Sequence, residues 1–490
     1  MRSRLGQLLP WPAWPFALYL LVLLVAPLAA LLLTSFWSSE FFQISRDFTL
    51  KNYAQIFHRP LYLDLILKSF WIGLLVAMVT VPVSFLAAHA LTFRFQRWSG
   101  LLLGLFMASM LSSYLIRIYA WKAILGPGGV INLALIGTGV IEQPLSFLLY
   151  GNFAIVVTLV HIQLPFAVLP IYAALQNIDP QVVEASRDLG AGPVETLFRV
   201  LVPLAMPGIS AAFLICFILS AADYVTPQLV GGADGVMIGR VIADQFGVSG
   251  NMPLGAALAI VLLLSFVLVL GAAWLLRAAG RRLLAMAARR SRARRKSMRS
   301  GLLRRLPIHE LGLPLIFLFL YAPLLVVFLF SFNTSTSGIF PMRGLTTEWY
   351  AALFRDAMFR VSLKASLLVG VTAVAGCLLI GTPAAFMMAR RKFAARRALL
   401  ALGTLPLAMP GVVIGVAFLA ALGVLGIRGG LAVTAIAHTL VCLPFLVMVL
   451  GARLRDFDRQ VEEAGRDLGS SPARVLRTIT LPFLAPTLAG

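Results

Sequence analysis

The sequence predicts an all-α integral membrane protein, a polytopic helical bundle whose two halves repeat each other in parallel orientation. Three observations predict it. The 490 residues are 60% apolar and only 12% charged, with a mean hydropathy of +0.93, which is too apolar for a water-solvated globule. Apolar runs of about 20 residues, enough to cross roughly 30 Å of hydrocarbon, recur along the whole chain. Segments of the first half return in the second at nearly constant offset.

Backbone groups in lipid must be bonded within their own segment, so each apolar run is read as a helix. The spans predicted in the first half are 14–36, 63–91, 100–121, 150–176, 202–225 and 252–278. The second half gives 311–332, 363–389, 398–422 and 430–452, about ten complete spans in all, and a further apolar run opens near Val475 and reaches Gly490 before completing a span. A full second half needs six spans, so the sequence reads as truncated in the fifth, from which poor stability or no transport by this chain alone is expected. The domains expected are a first half over 1–280, a basic linker over 281–306 and a second half over 307–490.

The net charge of +22 follows the spans rather than forming a nucleic-acid stripe. With the N-terminus placed in the cytoplasm, most of the 41 Lys and Arg fall on that side: Arg94 and Arg97, Arg187 and Arg199, twelve from Arg277 to Arg305, five from Arg390 to Arg397, and six from Arg453 to Arg477. This is the positive-inside pattern, and the linker reads as a solvated segment held near anionic head groups. The N-terminal run is too long for a signal peptide and shows no clear cleavage site, so it reads as a retained first helix.

The chemistry is sparse. Cys216, Cys377 and Cys442 are odd in number and sit in apolar spans, so neither a disulfide framework nor a metal site is expected. The five histidines lack metal-ligand spacing, and His161 and His438 within spans suit packing or interhelical hydrogen bonding. None of the six lysines follows a glycine, which excludes a phosphate-cradling G-x-x-x-x-G-K-[ST] loop. No cofactor, catalytic residue or protease motif is read, and ATP hydrolysis is left to another subunit.

The repeat is sharpest in two polar loops. Glu184-Ala185-Ser186-Arg187-Asp188-Leu189-Gly190 matches Glu463-Ala464-Gly465-Arg466-Asp467-Leu468-Gly469 at an offset of 279, and Pro193 and Pro203 match Pro472 and Pro482. Asp179 and Asp458 are placed to cap a short helix, Gly190 and Gly469 to end it in a left-handed turn, and Ser471-Pro472 to start the next. Each loop, over 179–203 and 458–482, is therefore expected to be a rigid helical knob. A surface pair between Glu184 and Arg187 is the alternative explanation of those two residues.

These loops resemble the cytoplasmic signature of binding-protein-dependent ATP-binding-cassette permeases: Glu-Ala-Ala, three residues, Gly, nine residues, Ile, one residue, Leu-Pro. The second copy departs only at Gly465; the first has Ser186, Val200 and Val202 in place of Ala, Ile and Leu. The resemblance implies two type I importer permease halves in one chain, with Glu184, Ala185, Gly190, Glu463, Ala464 and Gly469 coupling to two ATPase subunits. It also implies an extracytoplasmic solute-binding protein as partner and residence in the bacterial inner membrane.

Ser113 to Gly126, Asp223-Tyr224-Val225-Thr226-Pro227 and Gly231-Gly232 are similar to the first permease of spermidine/putrescine systems, and Trp349-Tyr350, Pro410-Gly411 and Cys442-Leu443-Pro444-Phe445 to the second. A polyamine path is implied. A polycation favours carboxylates and aromatic faces, which makes Asp223, Tyr224, Tyr114, Tyr119 and Trp121 the candidate path residues. Two readings stand for Asp223, solute contact or an ion pair with Arg117 or Lys122, and the aromatics equally suit an interfacial belt. Ferric iron or thiamine import and an ion-coupled secondary transporter are the rival functions.

Overall fold

The computed structural model describes residues 10, 13–40, 43–290, 308–335 and 342–489. Nearly all of them are helical, with one small hairpin in which Ser38–Glu40 pairs antiparallel with Gln43–Ser45. Nine helices among the described residues are long and apolar enough to cross a bilayer, and one bent pair makes a tenth. Those used below are α1 (Trp14–Ser35), α2 (Pro60–Arg94), α3 (Ser99–Met110), α4 (Tyr114–Leu125), α5 (Asn152–Gln176), the short α6 (Pro180–Asp188), α7 (Pro193–Ala221), the short α8 (Val225–Val230) and α9 (Met252–Arg290). Then come α10 (Ile308–Phe330), α11 (Ala357–Arg390), α12 (Arg396–Ala408), α13 (Gly411–Leu425), α14 (Leu431–Asp456) and the short α15 (Arg459–Asp467). Most of the 281–306 linker lies outside the described residues; α9 extends into its first ten.

The third predicted span of each half is not one straight helix. In the first, 100–121 breaks between α3 and α4: Ser109 and Ser112 turn their hydroxyls back onto the carbonyls of Phe106 and Ser109, at 2.7 and 2.9 Å, and Ser113 is extended at ψ 138°. Such back-bonding competes with the helical ladder. In the second, 398–422 bends by 102° between α12 and α13. There Pro410 forces Met409 out of the helical region, to φ −98° and ψ 143°.

The chain packs as two compact units. One comprises residues 1–49, 353–409 and 413–490, the other 50–352 and 410–412. The compact units do not follow the order of the chain: α1 packs with α11, α12 and α14, and α10 with α2 and α4.

In the unit of residues 50–352, α2, α5 and α7 pack on one another. Their approach is close enough to require glycine. A Cβ at Gly73 would lie 2.6 Å from Ala221 Cβ, and one at Gly208 would lie 2.3 Å from the Pro170 carbonyl oxygen. Ile72, Val76, Ile118, Trp121, Ile155 and Leu159 form the core, with Phe319 and Val326 of α10 packed against it. Pro323 has no N–H, so it interrupts the α10 ladder. There His161, fully buried on α5, donates Nε2–H to the Leu320 carbonyl at 2.9 Å, and the Tyr321 hydroxyl donates to the Leu105 carbonyl at 2.7 Å. The interhelical hydrogen bond expected of His161 is thus present; His438 instead bonds back within α14, to the Thr434 carbonyl at 2.8 Å.

In the other unit, α11 and α14 form the main pair. Ala385, Leu450, Leu454 and Leu484 are buried between them and the last helix. The Tyr19 hydroxyl of α1 donates to the Ile436 carbonyl of α14 at 3.3 Å.

Candidate functional site

The two signature loops open and close their short helices with the same hydrogen bonds. In the first, Asp179 caps α6 by accepting the Gln181 N–H at 2.9 Å; in the second, Asp458 caps α15 by accepting the Gln460 N–H at 2.9 Å. At the other end Gly190 and Gly469 adopt φ +82° and +83°. That conformation lets Gly190 N–H reach the Arg187 carbonyl at 2.8 Å and Ala191 N–H reach Ser186 at 3.0 Å. The second loop repeats this with Gly469 to Arg466 at 2.8 Å and Ser470 to Gly465 at 3.1 Å. The paired bonds are the Schellman closure that a left-handed glycine permits.

Beyond the closure, each chain restarts at Pro193 or Pro472 and passes through a π-turn, Leu197–Leu201 or Leu476–Thr480. The two turns are again 279 residues apart. Each immediately precedes the segment holding Pro203 or Pro482, whose missing N–H leaves a carbonyl one turn back without its helical donor and whose ring crowds it. A wider turn relieves both.

Glu184 and Ala185, like Glu463 and Ala464, lie on the exposed side of their helices. Among the described residues neither Glu184 nor Glu463 makes an ion pair within 4.0 Å, so the alternative pairing of Glu184 with Arg187 is not formed. Two residues per loop escaped sequence reasoning: Leu189 and Leu468 are 88% and 87% exposed, with Val182 and Val461 exposed beside them. Their signal was present, since both pairs are identical at the offset of 279, the valines on the short helices and the leucines just past their ends. At the departure, Gly465, a Cβ would lie 2.8 Å from Cδ1 of Ile479, the movable end of that side chain. In the first loop Ser186 uses that space to bond Thr196 Oγ1 at 3.0 Å.

The second candidate site forms where α7 ends. The Asp223 carboxylate accepts the N–H groups of Val225 and Thr226, at 3.3 and 3.0 Å, and so opens α8. The Tyr114 hydroxyl lies 3.1 Å from Thr226 Oγ1, and both hydroxyls help to hold the carboxylate. Neither Arg117 nor Lys122 pairs with Asp223: Arg117 donates to the Ser112 carbonyl at 3.3 Å, and Lys122 Nζ stands 5.8 Å from the Tyr150 ring centroid.

Of the five path candidates, the structure therefore joins Tyr114 and Asp223, with Tyr224 alongside and 38% exposed. Trp121 is apart from them, buried against His161 and Phe319 at centroid distances of 5.9 and 5.4 Å. Tyr119 is 52% exposed on the same helix. Among the described residues no group of three or more His, Cys, Asp or Glu could hold a metal ion.

With these two sites in place, comparison with known proteins is decisive. The profile of the family described as "Binding-protein-dependent transport system inner membrane component" matches residues 67–284 and again 381–490, each match containing one knob. The chain belongs to that family. It is a membrane permease with two copies of the family's domain in a single polypeptide. It is 34% identical over 212 residues to the spermidine/putrescine transport system permease protein PotB of Haemophilus influenzae, an alignment covering 43% of this chain and 73% of that one. PotB of Escherichia coli K12 is 34% identical over 227 residues, 46% of this chain and 82% of that protein. The inner membrane ABC transporter permease protein YdcU of the same organism is 33% identical over 270 residues, 50% of this chain and 84% of its own. Within this permease the knobs are alike in both sequence and backbone geometry.

Proposed function

We propose that this permease forms the solute pathway of an ATP-driven importer, and that its cargo is a polyamine of the spermidine/putrescine class. Two ATPase subunits dock on the knobs, an extracytoplasmic binding protein delivers the solute on the opposite face, and the N-terminus lies on the ATPase side. The two repeat halves, 1–280 and 307–490, supply one knob each. Glu184, Ala185, Gly190, Glu463, Ala464 and Gly469 are the coupling residues, and the exposed Leu189 and Leu468 are their apolar anchors. ATP hydrolysis belongs to the separate subunits, and the permease contributes alternating access.

The observation that carries this reading is the duplicated knob, a capped helix closed by a left-handed glycine and presenting an exposed leucine in both copies. A leucine exposed at the tip of such a helix gains free energy when a partner's groove removes its apolar surface from water. The polyamine assignment rests on the names of the relatives and on the first copy's Tyr114, Asp223 and Tyr224, an acid with aromatic neighbours suited to an alkylammonium group. The test is reconstitution in proteoliposomes with the ATPase and binding protein, measuring ATP-dependent uptake of labelled spermidine, ferric iron and thiamine in parallel. Uptake of iron or thiamine alone refutes the polyamine assignment, and uptake driven by an ion gradient without ATPase refutes the importer reading.

A further inference from the structure

The two knobs present the same outer face but are fastened to the membrane helices by different chemistry. Glu462, next to the exposed Glu463, turns inward. Its Oε1 lies 3.2 Å from Arg390 Nη2 and also accepts the Thr480 hydroxyl at 2.9 Å. Arg390 is the last residue of α11, a 34-residue helix; Thr480 closes the π-turn that leads into the final helix. One carboxylate oxygen therefore ties the knob, a spanning helix and the next helix together. The side chains of both ion-pair partners are only 15% exposed.

Two further contacts lock the end of α11. The Arg390 guanidinium lies 5.5 Å from the Phe457 ring centroid, and Arg459 Nη2 donates to the Arg390 carbonyl at 3.4 Å. A cavity of about 380 Å³ beside the pair, lined in part by Phe386, Glu463 and Arg466, gives these side chains room to move with the knob.

At the offset of 279, three members of this cluster have apolar counterparts in the first copy. Glu462 corresponds to Val183, Thr480 to Leu201 and Arg459 to Pro180. Val183 and Leu201 are 7% and 3% exposed, an apolar seat. Apolar contact is non-directional and permits sliding, whereas a charge-assisted hydrogen bond in a partly dehydrated site fixes distance and angle.

We propose that Arg390 and Glu462 are a positioning pair, through which movement of the second knob is passed to α11 as a rigid link, and that the first knob drives its helices by apolar contact instead. The inference rests on the coupling role proposed above. It makes the two halves mechanically unequal although their ATPase-facing surfaces match.

The test uses the full chain assembled with its ATPase and binding protein in proteoliposomes. It reads ATPase retained, ATP hydrolysed, solute moved per ATP and thermal stability. Glu462→Gln keeps the size and the acceptor for Thr480 while removing the charge. It is expected to retain the ATPase and hydrolyse ATP, while solute moved per ATP falls about tenfold, within the range of coupling between directly paired groups. The exchange R390E with E462R is expected to restore most of that ratio. An unchanged ratio in Glu462→Gln overturns the proposal. So does a ratio that falls only in proportion to stability and is not rescued by the exchange. A wild-type assembly that retains no ATPase overturns the coupling reading itself, and this proposal with it.

Discussion

Truncating the two exposed leucines isolates the docking surface from the fold that carries it. Leu189 and Leu468 are 88% and 87% exposed, so Leu189→Ala and Leu468→Ala remove nothing from the permease's own core and should leave thermal unfolding within the small range typical of surface changes. If each leucine is buried on docking, loss of three carbons at about 0.8 kcal/mol apiece weakens binding by roughly 2 kcal/mol, a factor of about 30. The two residues lie in separate compact units and each meets its own ATPase subunit, so the double variant should weaken both sites, each by about 30-fold. The assay is titration of labelled ATPase onto detergent-purified permease, with unfolding temperature as the control. A double variant that binds within about threefold of wild type refutes the anchor assignment, because burial of either leucine alone would exceed that change.

Three further outcomes follow from the same geometry. Gly190→Ala or Gly469→Ala places a Cβ at φ +82° or +83°, at a cost of about 1–2 kcal/mol; ATPase binding should weaken roughly tenfold per site, and Asn at the same position should be milder, since it tolerates that conformation. Gly208→Ala puts a methyl 2.3 Å from the Pro170 carbonyl oxygen, so it should lower thermal stability by about 1–3 kcal/mol, while Gly271→Ala, whose Cβ meets nothing within 4 Å, should not. Asp223→Asn keeps an acceptor for the α8 N–H groups and removes the charge, so it should raise the KM for spermidine about tenfold with little change in unfolding temperature, given charge-assisted contacts of about 1.5–3 kcal/mol. Asp223→Ala should lose the cap as well, at about 1 kcal/mol of stability.

Much of the candidate site was legible in the sequence because turn chemistry is local. Asp179, Gly190, Asp458 and Gly469 each act within three residues of themselves, and their caps and left-handed turns appear where the sequence placed them. Span breaks were legible in one copy and not the other. Pro410 restricts its predecessor by covalent structure, whereas the break after Met110 falls where Ser109 and Ser112 bond back onto carbonyls, as Ser265 also does onto Val261 inside the unbroken α9, so the serines alone do not mark it. The absence of a partner for Asp223 among Arg117 and Lys122 could not be read either. Sequence proximity put both cations near it, but Arg117 turns back to the Ser112 carbonyl and Lys122 to the Tyr150 ring.

What the sequence could not convey at all is which neighbour an apolar helix chooses. α1 has a mean hydropathy of 2.8 over its best window and is apolar on every face, as is α10 at 2.7, so neither carries a stripe that names a partner. Their placement is decided by a few polar tips and by shape: Tyr19 finds the Ile436 carbonyl, Tyr321 finds that of Leu105, and His161 reaches the Leu320 carbonyl beside the interruption at Pro323. Each compact unit thereby takes in the first helix of the other repeat. Val25-Ala26-Pro27-Leu28 and Tyr321-Ala322-Pro323-Leu324 stand 296 residues apart, as do Ser35-Phe36 and Ser331-Phe332, so the exchanged helices are themselves members of the repeat. The exchange is therefore reciprocal: each unit combines helices of one repeat with the first helix of the other. Joining the halves in one chain fixes the supply of both helices at one to one, which two separate chains would have to reach by association.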